Sequence, residues 1–196
     1  MRRILQFAAL FLLLIGLPAG SWYYLQRGLD YRLETLGQLG DHGAFKLKTS
    51  HTPIAEGGTV RVINFLSANN TQVQGTLLSK LYEQFDKRED FELITFVDTT
   101  VFADVASFRT TYQLEEEPQC SFTHLEAGEW QTFVSTHEPD AKAEVPYLAL
   151  VDIEGNIRNF YEQEDGEAVK QLVEHIAFLL PIKKREKAEL RRETEK

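Results

Sequence analysis

From Ile4 to Leu25 no residue carries a charge, and this stretch narrows what the chain can become more than any other feature. As a helix rising ~1.5 Å per residue it is roughly 33 Å long, enough to cross a hydrocarbon core. Arg2 and Arg3 precede it, and Trp22, Tyr23 and Tyr24 close it where amphipathic rings favour the headgroup region. A cleaved leader is the rival reading. Its best cut follows Ala19, which puts Leu17 where a small residue is wanted. A lipoprotein signal is excluded because no cysteine follows the run. The expectation is an uncleaved anchor over residues 1–26.

Arg27 and Arg32 on the far side nearly match Arg2 and Arg3, so charge alone sets no orientation. A very short N-terminal segment usually stays inside. The sequence therefore predicts a single-pass protein of the inner (cytoplasmic) membrane, with its soluble domain on the periplasmic or extracytoplasmic side. The formal net charge of −9 and pI near 5.1 exclude nucleic acid as a partner, because phosphate binding needs a positive surface. Cys120 is the single cysteine, so no intramolecular disulfide can form.

Residues 27–58 read as a linker. GLDYRLETLGQLGDHG holds four glycines, Leu29, Leu33 and Leu36 make a short amphipathic turn, and Phe45 and Leu47 alternate like an edge strand. His51 to Gly58 reads as a loop. From Thr59 a folded unit is expected to run to residue 181. TVRVINFLS and FELITFVD are buried strands. Leu77, Leu78, Leu81 and Phe85 mark a helix begun by Asn70 or Thr71, and Val105, Phe108 and Tyr112 mark another begun near Asp104. Cys120 to Thr123 is a short strand and Ala127 to Val134 a brief helix. VPYLALVD and IRNFYE are joined by a Glu-Gly-Asn turn into a hairpin. Val169, Leu172, Val173, Ile176 and Leu179 form an apolar stripe started near Asp165 and ended by Pro181. The charged tail, 182–196, carries seven Lys/Arg against four Glu, a net +3. Parallel early strands with a helical crossover, then a hairpin and a last helix, predict an α/β, thioredoxin-like mixed sheet with flanking helices.

In such a fold reactive groups sit where the first strand meets its helix, because backbone N–H groups and the helix dipole activate a thiol there. That junction reads Asn64-Phe65-Leu66-Ser67-Ala68-Asn69, then Asn70-Thr71-Gln72-Val73-Gln74-Gly75. Together with FELITFVD, Trp130 and LALVDIEGNIRNFYEQEDGEAVKQLVEHIAFLL, it resembles the Sco/SenC family, membrane-anchored thioredoxin-fold copper chaperones of cytochrome oxidase assembly. The resemblance spans roughly residues 45–180 and is strongest at the C-terminal end. It departs at the chemistry. Asn70 and Gln74 stand where the C-P-x-x-C-P cysteines would be, and Ala143-Glu144-Val145-Pro146 lacks the histidine of the copper site. Soft Cu(I) prefers sulfur to carboxamide oxygen, so copper delivery and disulfide exchange are not carried over.

Asn70, Gln74 and Pro146 remain as degenerate active-site positions suited to binding. Asn70 and Gln74 either hold a small anion at the helix N-terminus or merely cap it toward water. Pro146 resembles the cis-proline of thioredoxin folds, which favours an extended peptide. Cys120 reads as apolar filler rather than a reactive thiol. His42, His51, His124 and His137 lack the paired spacing of a metal motif. No catalytic residue, metal ligand or cofactor is expected. The leading function is a redox-inactive binding or assembly module with an envelope or respiratory-complex protein as partner. The alternatives are a copper metallochaperone using non-cysteine ligands and an oxidoreductase working through Cys120 alone.

Overall fold

Val60–Leu66 (β1) is a β-branched run buried along both faces, as a central strand must be. In this computed structural model, which describes residues 6–7, 10–47, 58–66, 70–100, 102–114, 119–142 and 145–181, β1 lies at the middle of a five-stranded sheet. Thr71–Phe85 (α2) returns the chain so that Phe91–Val97 (β2) pairs parallel to β1, with Val60 opposite Phe91 and Leu66 opposite Val97. Val105–Thr111 (α3) leads to Cys120–His124 (β3), parallel to β2. Ala127–His137 (α4) precedes Tyr147–Val151 (β4), which runs antiparallel on the other side of β1. Ile157–Glu162 (β5) completes the hairpin, and Gly166–Leu179 (α5) ends the domain. The sheet order is β3-β2-β1-β4-β5.

The pleat divides the core in two. Val62, Leu66, Leu93 and Leu150 face α2, α3 and α5, meeting Leu78, Leu81, Phe108, Leu172 and Ile176. Ile63, Phe96, Ala149 and Phe160 face α4 and meet Trp130 and Phe133. Helix starts follow the sequence. Asp104 accepts from the Ser107 N–H at 3.0 Å, and Asp165 accepts from the Glu167 N–H at 2.9 Å. Gly155, at φ 86°, supplies the left-handed residue that the β4–β5 turn requires.

The N-terminal third departs from the sequence reading. A linker was expected from residue 27, but the helix Leu17–Gly37 (α1), preceded directly by a π-helical stretch Leu12–Gly16, runs through it. Helix is kept there because Tyr31, Arg32 and Thr35 dock on α5, and tertiary contact outweighs the local glycines. The expected edge strand at Phe45 and Leu47 reduces to one bridge, Ala44 to Asn156, with Phe45 packed on Phe133. Among the described residues no helix is long and apolar enough to cross a membrane. Ile4, Leu5, Ala8 and Ala9 of the anchor stretch lie outside them, as do His51, Glu115 to Glu117 and the tail from residue 182.

Candidate binding groove

Two side chains at the start of α2 behave differently. Asn70 is the N-cap residue, yet its side chain makes no cap bond. Its Nδ2 instead donates to Glu164 Oε1, just before α5, tying the β1–α2 junction to the end of β5. Gln74, one turn on, is 1% exposed and turned inward, with Nε2 3.4 Å from the Phe65 carbonyl. The reading of Gln74 as a capping residue facing water is therefore corrected, while Asn70 stays partly exposed. Gln74 follows the inward face of α2 shared by Leu78 and Leu81, so burial takes it.

Beneath this junction lies a buried polar cluster from three strands. Asn64 on β1 sits opposite Thr95 on β2, and Gln163, just beyond β5, donates Nε2 to Asn64 Oδ1 at 2.6 Å and to the Tyr147 carbonyl at 3.2 Å. Among the described residues, Asn64 Nδ2, Thr95 Oγ1 and Gln163 Oε1 have no hydrogen-bond partner. Each such buried group costs about 1–3 kcal/mol, so the sheet carries a local polar penalty beside the start of α2.

Pro146 enters β4 from the other side. Its carbonyl accepts from the Gln163 N–H at 2.9 Å. Among the described residues no peptide bond is cis, so the Val145–Pro146 bond, whose isomer the sequence left open, is trans. Trans is the ordinary state of an X-Pro bond, and here the strand takes up its pairing directly after it.

Asn70 and Pro146 border the same groove, of about 430 Å³, between α4 and the segment leading into β4. That size suits a small molecule or a few side chains of a polypeptide. Trp130 forms its floor, stacked at 11° on Phe65 and at 26° on Phe133, and only 5% exposed. Gln131, Thr132 and Ser135 supply a polar rim. Lys142 is a cationic lining residue, and its Nζ lies 3.8 Å from Glu162, both well exposed. The start of α4 is held by Asp98, at the end of β2, which accepts from the Ala127 N–H at 3.3 Å. Bonds from the Thr100 hydroxyl and N–H and from Ala127 hold the Asp98 carboxyl below the usual carboxylate range. Gln74 is not part of the groove. Two of the three positions expected from the sequence, Asn70 and Pro146, line the groove, and the sequence reading missed the contribution of α4, whose rim residues are ordinary surface polar types.

Cys120 lies in the core beside α3, 4% exposed, and burial pushes its thiol up to about 11, with Arg109 partly opposing. A neutral, enclosed thiol is a poor nucleophile. The described histidines do not converge. The His42 ring lies 2.9 Å from the His137 carbonyl, His124 faces Thr99, and His137 bonds the Phe133 carbonyl in its own helix. Among the described residues no three His, Cys, Asp or Glu are grouped to hold a metal. His175, overlooked in the sequence, is fully enclosed against Tyr161, and its place beside Leu172 and Ile176 on the stripe was the available signal.

No protein-family model matches this sequence, and no curated protein matches it. Solved structures do. BsSco, a member of the Sco family of cytochrome c oxidase assembly proteins, is similar at a TM-score of 0.51 and 15% identity, covering 74% of this chain and 96% of its own. The apo Sco1 protein from Thermus thermophilus gives 0.49 and 16%, covering 72% and 92%. A SCO1/SenC family lipoprotein from Bacillus anthracis str. Ames gives 0.47 and 14%, covering 63% and 83%. The likeness to BsSco is one of fold: a thioredoxin-like mixed sheet with flanking helices, here in a chain with a single cysteine.

Proposed function

We propose that this protein is a membrane-anchored, extracytoplasmic binding or assembly module, redox-inactive, that grips a polypeptide of the cell envelope in the groove beside Asn70 and Pro146. The observation that carries this reading is the groove itself. It keeps an aromatic floor and a polar rim at the former reactive end, while the two positions that would bear thiols hold Asn70, tied to Glu164, and the inward-turned Gln74. A site with that lining can bind but has no group placed to transfer electrons. BsSco belongs to a family of cytochrome c oxidase assembly proteins, which makes a respiratory-complex subunit the favoured class of partner.

Anchoring is supported by the uncharged stretch Ile4 to Leu25 and by its helical, described part. There Phe7, Leu10 to Ile15, Leu17 and Trp22 to Leu25 are all exposed, which water disfavours and lipid accepts. The test is a photo-crosslinking residue placed at Gln131, on the groove rim, in intact cells, with Lys87 as a position remote from the groove. A specific envelope-protein adduct at 131 and none at 87 is expected, with the protein in the carbonate-resistant membrane fraction. Adducts of equal yield at both positions would falsify the groove as the partner site.

A further inference from the structure

The way α1 docks on α5 determines which end of the domain meets the bilayer. The Tyr31 hydroxyl donates to Glu174 at 2.9 Å, its ring packs on Phe178 at 6.1 Å, and the Arg32 guanidinium lies 5.6 Å over the same Phe178 ring. One turn later Thr35 is buried, and its backbone lies close to His175. Moving back along α1 toward the apolar stretch thus moves forward along α5, so the two helices run antiparallel. Leu25, the last residue of that stretch, projects past the C-terminal end of α5.

The groove lies at the opposite end. Glu164, which holds Asn70, directly precedes Asp165, the N-cap of α5. The 14 residues of α5 separate the two ends by ~20 Å at 1.5 Å per residue. Two other features share the C-terminal end of α5: the turn between α2 and β2, bonded to it by Arg88 to the Pro181 carbonyl at 2.7 Å, and the Gln119 side chain, bonded to the Arg88 carbonyl.

We propose that the domain stands on the membrane in a fixed orientation. The α2–β2 turn and Pro181 face the lipid headgroups, and the groove opens away from them. This rests on the anchored reading above and deepens it, because a partner must then present its segment at a height of about one domain length, rather than at the headgroup level.

The experiment uses the full chain in vesicles of phosphatidylethanolamine and phosphatidylglycerol doped with a headgroup-nitroxide lipid. A fluorophore is attached at Lys87→Cys or at Gln131→Cys, both exposed sites, with the unsubstituted chain as the blank for buried Cys120. Quenching at position 87 several-fold stronger than at 131 is expected. Arg32→Ala with Phe178→Ala, which removes the ring contact, should shrink that ratio toward one. Strong, equal quenching at both positions, or stronger quenching at 131, overturns the orientation while leaving the anchor standing. A chain that does not float with the vesicles removes both.

Discussion

The Tyr161 hydroxyl and His175 Nδ1 lie 2.5 Å apart in the core, joining β5 to α5 with no solvent between them. The other ring nitrogen, Nε2, has no partner within hydrogen-bond geometry among the described residues. Burial lowers the His175 pKa below its ordinary value near 6.5, outweighing the nearby Thr35 backbone and Glu174, both of which favour the charged ring.

A pH dependence follows from that depressed pKa. Below about 6.5 the unfolded ring takes up a proton that the folded ring refuses, so the unfolded state binds more protons. Stability from this residue is complete above that pH and declines as pH falls toward the folded pKa. Chemical denaturation between about pH 7 and pH 5 should show a shallower fall for His175→Gln than for the natural chain. Equal slopes would mean that the folded ring titrates normally.

Ile176 is fully buried between α5 and the sheet. Ile176→Ala should lower unfolding free energy by about 2–5 kcal/mol, whereas Lys170→Ala, on the exposed face, should change it by less than about 0.5 kcal/mol. Similar midpoints for the two variants would show that α5 is not docked as described.

Gly75 is the contact point between α2 and α3. A Cβ placed there would lie 2.3 Å from the Tyr112 ring, which also packs on Phe108. Alanine gains roughly 1 kcal/mol of helix propensity over glycine, but overpacking costs about 1–3 kcal/mol. Gly75→Ala should therefore be net destabilising, and a double-mutant cycle with Tyr112→Ala should show coupling of about 1 kcal/mol or more. Net stabilisation by Gly75→Ala would show that the ring yields freely.

Cys120 should be silent in the folded protein. With its thiol pushed up to about 11, alkylation by iodoacetamide at pH 8 is expected to be at least tenfold slower than in denaturant. Equal rates would reopen the single-thiol oxidoreductase reading.

Copper gives a sharper contrast. The full chain purified in detergent should retain no stoichiometric Cu(I) against a competing chelator, because Asn70 and Gln74 offer only carboxamides. Asn70→Cys with Gln74→Cys sets two sulfurs one helical turn apart and should raise retention above that of the natural chain. One copper per natural chain surviving the challenge would restore the metallochaperone reading.

Much of this protein was legible from local pattern. β-Branched and apolar runs bounded by turn residues located the five strands, and period-3.6 hydrophobicity the helices beyond residue 59, because both are local signatures of a buried backbone. Capping by Asp104 and Asp165 was equally local. The same logic failed from residue 27 to 37, where glycines and scattered leucines read as a linker until Phe178 and Glu174, far along the chain, gave the helix something to dock on. The candidate site divides in the same way. The resemblance to the Sco/SenC pattern singled out Asn70 and Gln74, and that to thioredoxin folds Pro146. Only tertiary structure turned Gln74 inward, joined Asn70 to Glu164 across 94 residues, and brought the Trp130 floor beside Pro146. Side-chain direction and long-range pairing depend on which surfaces meet when the sheet closes, and no local window of sequence contains both partners.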